Sequence, residues 1–487
     1  MDTCLSPSKY PSRRSSLYRY EEIVDDFAAF LEFSERPLPR TIWLNPLKCD
    51  KSILETWLDT DLKPIAWNPD AFRSPDGDRK RYYAAYLAGL FHIQEEASML
   101  PAELLRIATG SSILDLCAAP GNKTAQAACK TGYSGTVVAN DVSRTRVGVI
   151  QTIMNRLSLT NVCVTVTDAG IWPLEGPVYD YVIADVPCSC EGTSRKNRRV
   201  LLKNDPAYRL ALIRRQERIL TRALELCAPG GYVAYSTCTY APEENEGVVS
   251  AVLKNSRFGE DAKIIPIDCA GLRYSAGISS WNGVDFHSDI SHSIRIWPHQ
   301  QDTGGFFVAI LQKAGTRRKA ISQRSEEQPS SITSETMTDL SYYGLTTTFE
   351  KQFISMQLSP KYRSILENTI VLPTEPVVQA AGVRGISTRG EAPHLSTAGA
   401  MRLGGVAERQ VLSIPLNQIE QFYCGHTFGV FLATEPSNRP EPGKVIVKSG
   451  NIPVGLGVLR QQGESYQLES QFPKKFGGIR IKDVLGY

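Results

Sequence analysis

The stretch Tyr179-Asp180-Tyr181-Val182-Ile183-Ala184-Asp185-Val186-Pro187-Cys188-Ser189-Cys190-Glu191-Gly192-Thr193 reads as a buried strand running into a loop. Pro187 stops the strand, because a proline cannot donate to a sheet ladder. Gly192-Thr193 then makes a turn that opens onto the basic run Ser194 to Arg199. In an open α/β sheet, ligands bind beyond the carboxyl ends of the strands. An acid at the strand's end (Asp185) and a thiol shortly after it (Cys188) are therefore candidate site residues.

Moving outward, strands alternate with helices from about Gly89, which predicts βα units and a mostly parallel sheet. Upstream, an apolar-periodic helix over Ser98 to Thr109 leads into the strand Ser112 to Cys117. The turn Ala118-Ala119-Pro120-Gly121-Asn122-Lys123 and a helix over Thr124 to Lys130 follow. Gly135 to Asp141 is the second strand, Arg144 to Leu157 its helix, and Asn161 to Asp168 the third strand. Downstream, Asn204 or Asp205 caps a long helix with Pro206 in its first turn, ended by Pro229-Gly230-Gly231. The fifth strand, Tyr232 to Cys238, ends in another thiol, and Pro242-Glu243-Glu244 starts a helix. Ile294 to Trp297 and Gly305 to Leu311 read as paired strands.

On the N-terminal side, Tyr20 to Phe33 has a helical apolar face, Arg40 to Asn45 reads as a strand, and Asp50 caps a helix through Leu62. On the C-terminal side, Gly315 to Leu340 is rich in Ser, Thr, Glu and Gln and reads as a linker. Beyond it a separate unit is expected. Its last stretch, Phe428 to Ala433, Lys444 to Lys448, Gly455 to Leu459 and Ile479 to Ile481, suggests a small β-barrel-like module trimmed by Lys474, Lys475, Arg480 and Lys482. The expected division is 1–90, an N-terminal α+β module; 91–314, the catalytic domain; 315–340, the linker; and 341–487, a β-rich module. On this division a fragment ending near Gln312 folds alone.

With 487 residues the chain is too long for one core. A net charge of +3 says little about partners. Eleven cysteines without framework spacing read as reduced thiols of a cytoplasmic protein. No run approaches the roughly 18 apolar residues of a membrane span, and Met1 to Arg19 has no apolar h-region. No membrane association is expected, and a monomer is.

The first loop lacks a phosphate-cradling glycine motif. Asp141 ends the second strand 20 residues after Gly121, where a carboxylate meets ribose hydroxyls in nucleoside-binding sheets. A nucleoside cofactor without a phosphate cradle points to S-adenosyl-L-methionine. Cys188 and Cys238 face one crevice, and thiols there suit pyrimidine C5 methylation. C5 of cytosine is a poor nucleophile until a thiolate adds at C6. A free thiol has a pKa of about 8.5, so Lys123 or the basic loop is expected to lower it. Asp185 is placed to hydrogen-bond the exocyclic amine and ring nitrogen of the base. A zinc site from Cys188, Cys190 and Cys238 is rejected on sequence spacing, so no metal is expected. Between Ser194 and Arg222, ten Lys and Arg (Arg195, Lys196, Arg198, Arg199, Lys203, Arg209, Arg214, Arg215, Arg218, Arg222) oppose Asp205 and Glu217, a footprint for RNA phosphates.

Asp115 to Thr124, Asp185-Val186-Pro187-Cys188, Ser236-Thr237-Cys238-Thr239 with Glu243-Glu244-Asn245-Glu246, Gln94 to Met99, and Pro298-His299 with Thr303 to Phe307 closely resemble the motifs of the RNA cytosine-C5 methyltransferases, the Nop/Sun family. The resemblance covers about Gly89 to Leu311. It implies a Rossmann-like S-adenosyl-L-methionine-dependent methyltransferase domain in which Cys238 is the nucleophile and Cys188 helps to release product. It also implies cofactor contacts from Cys117, Ala118, Ala119, Pro120, Gly121, Asn122, Lys123, Asp141 and Asp168, with Asp185 near both cofactor and base. Cys190 stands where many relatives have Gly, and it reads as structural. Gly455-Leu456-Gly457 and Pro473-Lys474-Lys475 resemble the PUA-like region of bacterial 16S rRNA methyltransferases of this family. An rRNA substrate is favoured, with tRNA the alternative. A non-catalytic RNA-binding protein on the same fold is the competing class.

Overall fold

A computed structural model describes residues 16–74, 78–174, 178–202, 205–255, 261–316, 342–343, 377–382, 386–387, 394–432 and 439–473. The N-terminal part holds α1 (Phe27–Glu35), β1 (Thr41–Leu44), α2 (Lys51–Leu58), β2 (Pro64–Ile65), β3 (Asn68–Arg73), α3 (Arg79–Leu87) and β4 (Phe91–Ile93). Its antiparallel sheet runs β2-β3-β1-β4, so Phe91–Ile93 extends this sheet past the expected boundary at 90. The helix expected over Tyr20 to Phe33 is broken. A 3-10 turn, Tyr18–Ile23, ends at extended Val24, and α1 restarts from an Asp26 cap that accepts from the Ala29 N–H.

The part expected to be catalytic holds α4 (Leu100–Leu104), β5 (Ser112–Asp115), α5 (Asn122–Thr131), β6 (Thr136–Asn140), α6 (Arg144–Leu157), β7 (Val162–Val166), β8 (Tyr179–Asp185), α7 (Pro206–Leu226), β9 (Cys227–Thr237) and α8 (Glu246–Lys254). It continues with β10 (Ala262–Ile264), β11 (Ser275–Ala276), the hairpin β12 (Ser280–Trp281) and β13 (Val284–Asp285), β14 (Ile294–Ile296), α9 (Pro298–Gln301) and β15 (Phe306–Lys313). The helix expected from Ser98 is short, because Arg106 turns the chain with φ +46. Cys227 continues directly into β9, and Pro242 to Glu244 form turns ahead of α8.

The large sheet runs β11-β14-β15-β9-β8-β5-β6-β7-β16, where β16 is Val377–Ala381. Strands β5 to β9 pair in parallel, and β15 returns antiparallel to β9. Successive strand residues point to opposite faces. Ile113, Val137 and Ile183 therefore pack on one side with Ala125, Ala128, Ile150 and Met154 of α5 and α6. Leu114, Val138 and Val182 pack on the other with Ile219, Leu220 and Val249 of α7 and α8. This is a doubly wound, Rossmann-like sheet whose order reverses at β5, and the crevice at its carboxyl end is the place for a ligand.

The rest comprises the pair β17 (Ile386–Ser387) and β18 (His394–Leu395), α10 (Thr397–Leu403), β19 (Val411–Ser413), α11 (Ile419–Tyr423), β20 (Thr427–Val430), β21 (Gly443–Ser449), β22 (Ile452–Gln462) and β23 (Ser465–Ser470). A five-stranded sheet runs β19-β21-β22-β23-β20. It is not a separate unit. Phe422, Val445, Val454 and Leu468 share one core with Ile42, Leu54, Trp57 and Phe91 of the N-terminal part, and β16 pairs antiparallel with β7 of the catalytic sheet. Most of the expected linker, and Ala433, Lys474, Lys475, Arg480, Lys482 and the strand Ile479 to Ile481, lie outside the described residues.

Candidate active site

Parallel pairing of β8 with β9 sets Asp185 opposite Ser236, and the Ser236 hydroxyl donates to Asp185 Oδ1 at 2.7 Å. Three and two residues further on, Cys188 and Cys238 meet with their sulfurs 3.5 Å apart. Gly192 lies close against the loop before β15. Its N–H donates to the Cys238 carbonyl and its own carbonyl accepts from Gly305, and a Cβ on it would stand 2.2 Å from the Gly305 oxygen.

Asp185 does not face the crevice free. Its Oδ2 accepts from Lys123 Nζ at 2.7 Å, while Nζ also lies 5.3 Å from the centre of the Phe306 ring. Burial alone would lower the Lys123 ammonium, but Asp185 outweighs it and raises the pKa, so the lysine stays charged. Neither expected source of positive charge brings the thiols below the usual range. Hydrogen bonding to Cys190 and Cys238, together with burial, pushes Cys188 well above the usual thiol range. For Cys238 the Cys188 hydrogen bond lowers the pKa, but Cys190, burial and the Asp185 charge together drive it up. The free protein therefore holds both as thiols. The Lys123 charge is matched by Asp185, and the basic loop turns its first arginine inward.

That arginine, Arg195, has a side chain only 1% exposed. It donates to the carbonyls of Arg36, Pro37 and Thr303 and to Asp302, fastening the N-terminal part to the catalytic part. Arg209 likewise reaches the buried Glu191 at 3.0 Å, and Arg222 pairs with Glu225. Lys196, Arg198, Arg199, Arg214 and Arg218 remain on the surface, and Lys203 lies outside the described residues.

On the cofactor side, Asp141 accepts from the N–H groups of Ala119 and Ser143, holding the Cys117 to Gly121 turn against the end of β6. Gly121 has φ +114, and a Cβ there would press on Ile150 at 3.2 Å, so glycine suits both its conformation and its packing. Asn122 and Lys123 open α5. Asp168 caps the 3-10 turn Ala169–Ile171. Burial and nearby acids push the Cys117 thiol well above its usual range.

Several residues of the site were not singled out from sequence. Asp115 is buried, with its pKa pushed up to about 7 by desolvation. Oδ2 accepts from Thr124, whereas Oδ1 has no partner among the described atoms. Glu191, also up to about 7 through burial, accepts from Tyr20 and Arg209. Glu244 accepts from the Ser189 N–H and from Gln216, bracing the Cys188 loop. The signal available was an acid directly beside Cys190 and the pair Glu243-Glu244 shortly after Cys238.

A family model described as "16S rRNA methyltransferase RsmB/F" matches residues 102–312. A "tRNA (cytosine(49)-C(5))-methyltransferase" of Pyrococcus abyssi is 31% identical over 303 residues, 61% of this chain and 94% of that protein. The chain belongs to the RsmB/F methyltransferase family. A "Ribosomal RNA small subunit methyltransferase F" of Klebsiella pneumoniae is 33% identical over 297 residues, 59% of this chain. The match covers 60% of that RsmB/F relative's own length. A solved methyltransferase homologue from Pyrococcus horikoshii is 28% identical with a TM-score of 0.51, covering 63% of this chain and all of that one. The motifs quoted from sequence fall largely inside the matched RsmB/F span. Gln94 to Met99 lie just ahead of it.

Proposed function

We propose that this chain methylates C5 of a cytosine in structured RNA with S-adenosyl-L-methionine, Cys238 being the nucleophile. The observation that carries this reading is the meeting of two thiols, from the ends of adjacent parallel strands, beside the Asp185–Lys123 pair.

The residues present fit the cofactor. Asp115 keeps a buried oxygen without a partner among the described residues, and Asp141, just past the end of β6, has its carboxylate held by two N–H groups at the carboxyl end of the sheet. Cys117 to Lys123, Asp141, Asp168 and Asp185 would hold it. When bound it supplies an electrophilic methyl group on a sulfonium sulfur.

In the proposed reaction the Cys238 sulfur forms a bond to C6, and C5 becomes an enamine carbon able to take the methyl group. A base then takes the C5 proton, the C5–H bonding pair re-forms the C5–C6 double bond, and the carbon–sulfur bond breaks with its electron pair returning to the Cys238 sulfur. Cys188, 3.5 Å from Cys238, serves that elimination. Asp185, fixed by Lys123 and Ser236, orients the base. Cys190, burial and the Asp185 charge push the Cys238 thiol above its usual range in the free protein, so its proton must pass to solvent as the bond to C6 forms. A stacked base cannot enter such a crevice, so the cytosine is presented unpaired or flipped.

The family description and the Klebsiella relative favour rRNA, and the relative matched over most of its length favours tRNA as the alternative. The exposed Lys196, Arg198, Arg199, Arg214 and Arg218 form the RNA-facing surface, with the C-terminal sheet as a PUA-like RNA-binding part. We place the protein in the cytoplasm as a monomer; no described helix is long and apolar enough to cross a membrane.

Transfer of a labelled methyl group to RNA, with 5-methylcytosine mapping, tests the activity. Cys188→Ala is expected to accumulate a cofactor-dependent RNA-linked band on a denaturing gel. Cys238→Ala is expected to give no band and no turnover. A band surviving only in Cys238→Ala would reverse the roles, and normal turnover in both would end the thiol mechanism.

A further inference from the structure

Cys190 is the part of the crevice that the reaction leaves unused. Its sulfur lies 3.9 Å from that of Cys188, which is in turn 3.5 Å from that of Cys238, and all three sulfurs fall within 4.8 Å of one another. Sequence spacing had argued against a metal here, because one C-x-C and a distant cysteine do not form a familiar ligand pattern. Spacing along the chain does not measure spacing in the fold. The two cysteine-bearing loops leave adjacent strands at matched heights, so a separation of 50 residues closes to a sulfur–sulfur contact.

We propose that Cys188, Cys190 and Cys238 form a trithiolate site for a soft divalent cation such as Zn2+. A tetrahedral ion with Zn–S bonds of about 2.3 Å requires neighbouring sulfurs about 3.8 Å apart. The two sulfur–sulfur distances lie on either side of that value. Cys190 and Cys238 are half-buried, so an ion can enter from the crevice, and solvent would fill the fourth position. Cys190 is brought into the cluster by a backbone held at φ +61, a conformation that side chains other than glycine rarely adopt. A bound cation deprotonates its thiol ligands outright and releases their protons. It would also occupy the Cys238 sulfur and block the addition proposed above, although binding itself does not depend on that reading.

The test uses the full-length protein, reduced and freed of thiol reagents, titrated anaerobically with Cd2+ while thiolate-to-cadmium absorption is followed. Wild type should show a saturable step at one ion per chain, reversed by Zn2+, with Cys238 protected from alkylation. Cys190→Gly, which suits the local backbone, should lose about a third of that absorbance and bind more weakly. Cys424→Ser, on the exposed C-terminal part, should behave as wild type. No step in wild type, or an unchanged step in Cys190→Gly shown by circular dichroism to be folded, would overturn the site. An unchanged step in the combined Cys188→Ala/Cys190→Gly/Cys238→Ala protein would also overturn it. None of these outcomes bears on RNA methylation, which the labelled-methyl assay reads separately.

Discussion

The two faces of the catalytic sheet and the body built by the chain's two ends are both dry and well packed, but they are assembled differently. Ile113, Val137 and Ile183 are covered by helices from the same consecutive βα units. Helix α3 is instead packed against α11 from the opposite end of the chain, and Leu54, Trp57, Phe422, Val454 and Leu468 belong to one core. Between the two regions lies a buried polar seam. Asn45 donates to the Gly89 and Leu157 carbonyls, Arg156 meets His92, and Arg195 ties Arg36 and Pro37 to Thr303 and Asp302. A core made locally can be completed by a fragment, whereas a core made from both ends cannot. The C-terminal sheet is therefore part of the support for the N-terminal part, and not only an appended surface.

The most severe way to break this contrast is truncation. A fragment ending at Gln312 would uncover the face of α3 that α11 packs against and strip β16 from the edge of β7. It is expected to be insoluble or to unfold without cooperativity when followed by circular dichroism. A soluble, cooperatively folding fragment would show that the two ends are independent.

Phe422→Ala isolates one contact of the shared core. Removing this fully buried ring should cost about 3–5 kcal/mol in denaturant unfolding. A loss under about 1 kcal/mol would mean that the junction is loosely held.

The seam should be acid-sensitive through His92. Burial and the Arg156 charge lower its pKa from 6.5 to about 3, so it is neutral in the folded protein. Between these values the unfolded chain binds the proton and the folded one does not. Stability is thus present above pH 6.5 and is lost as pH falls toward 3. At pH 4.5 this group should remove about 2–3 kcal/mol relative to pH 7.5. His92→Gln should be less stable than wild type at pH 7.5, with the gap narrowing by about that amount at pH 4.5; a constant gap would refute the assignment.

Arg195 and its exposed neighbours give a smaller and finer contrast. Arg195→Ala should cost about 1.5–3 kcal/mol in stability, since it strands Asp302 and three carbonyls. Combined Lys196→Ala and Arg199→Ala should change stability by about 0.5 kcal/mol or less, yet weaken RNA binding and flatten its salt dependence. Equal effects from both changes, in unfolding and in filter binding, would erase the distinction between inward and outward charge.

Much of the catalytic sheet was legible in the residues. Period-two runs such as Ile113-Leu114 and Val137-Val138 separate two buried faces, Asp50 and Asp205 supply caps where expected, and Pro206 sits at the start of α7. These are local signals, carried by neighbours a few positions apart. The helix over Tyr20 to Phe33 was less legible, because its periodicity continues through Val24 although the backbone there is extended.

By itself, then, the sequence determined the order of βα units, the strand ends that carry Asp141, Asp185, Cys188 and Cys238, and the glycine turn before α5. Each follows from short-range sterics and hydrogen bonding. Tertiary structure decided which charges are already paired, so that Lys123 belongs to Asp185 and Arg195 to Asp302. It decided that Cys190 joins the other two sulfurs, that their contact and burial push the Cys188 and Cys238 thiols above the usual range, and that the chain ends share a core. All of these depend on separation in space and on exclusion of water. Neither is a function of distance along the chain, and a pKa or a shared core exists only once distant segments have come together.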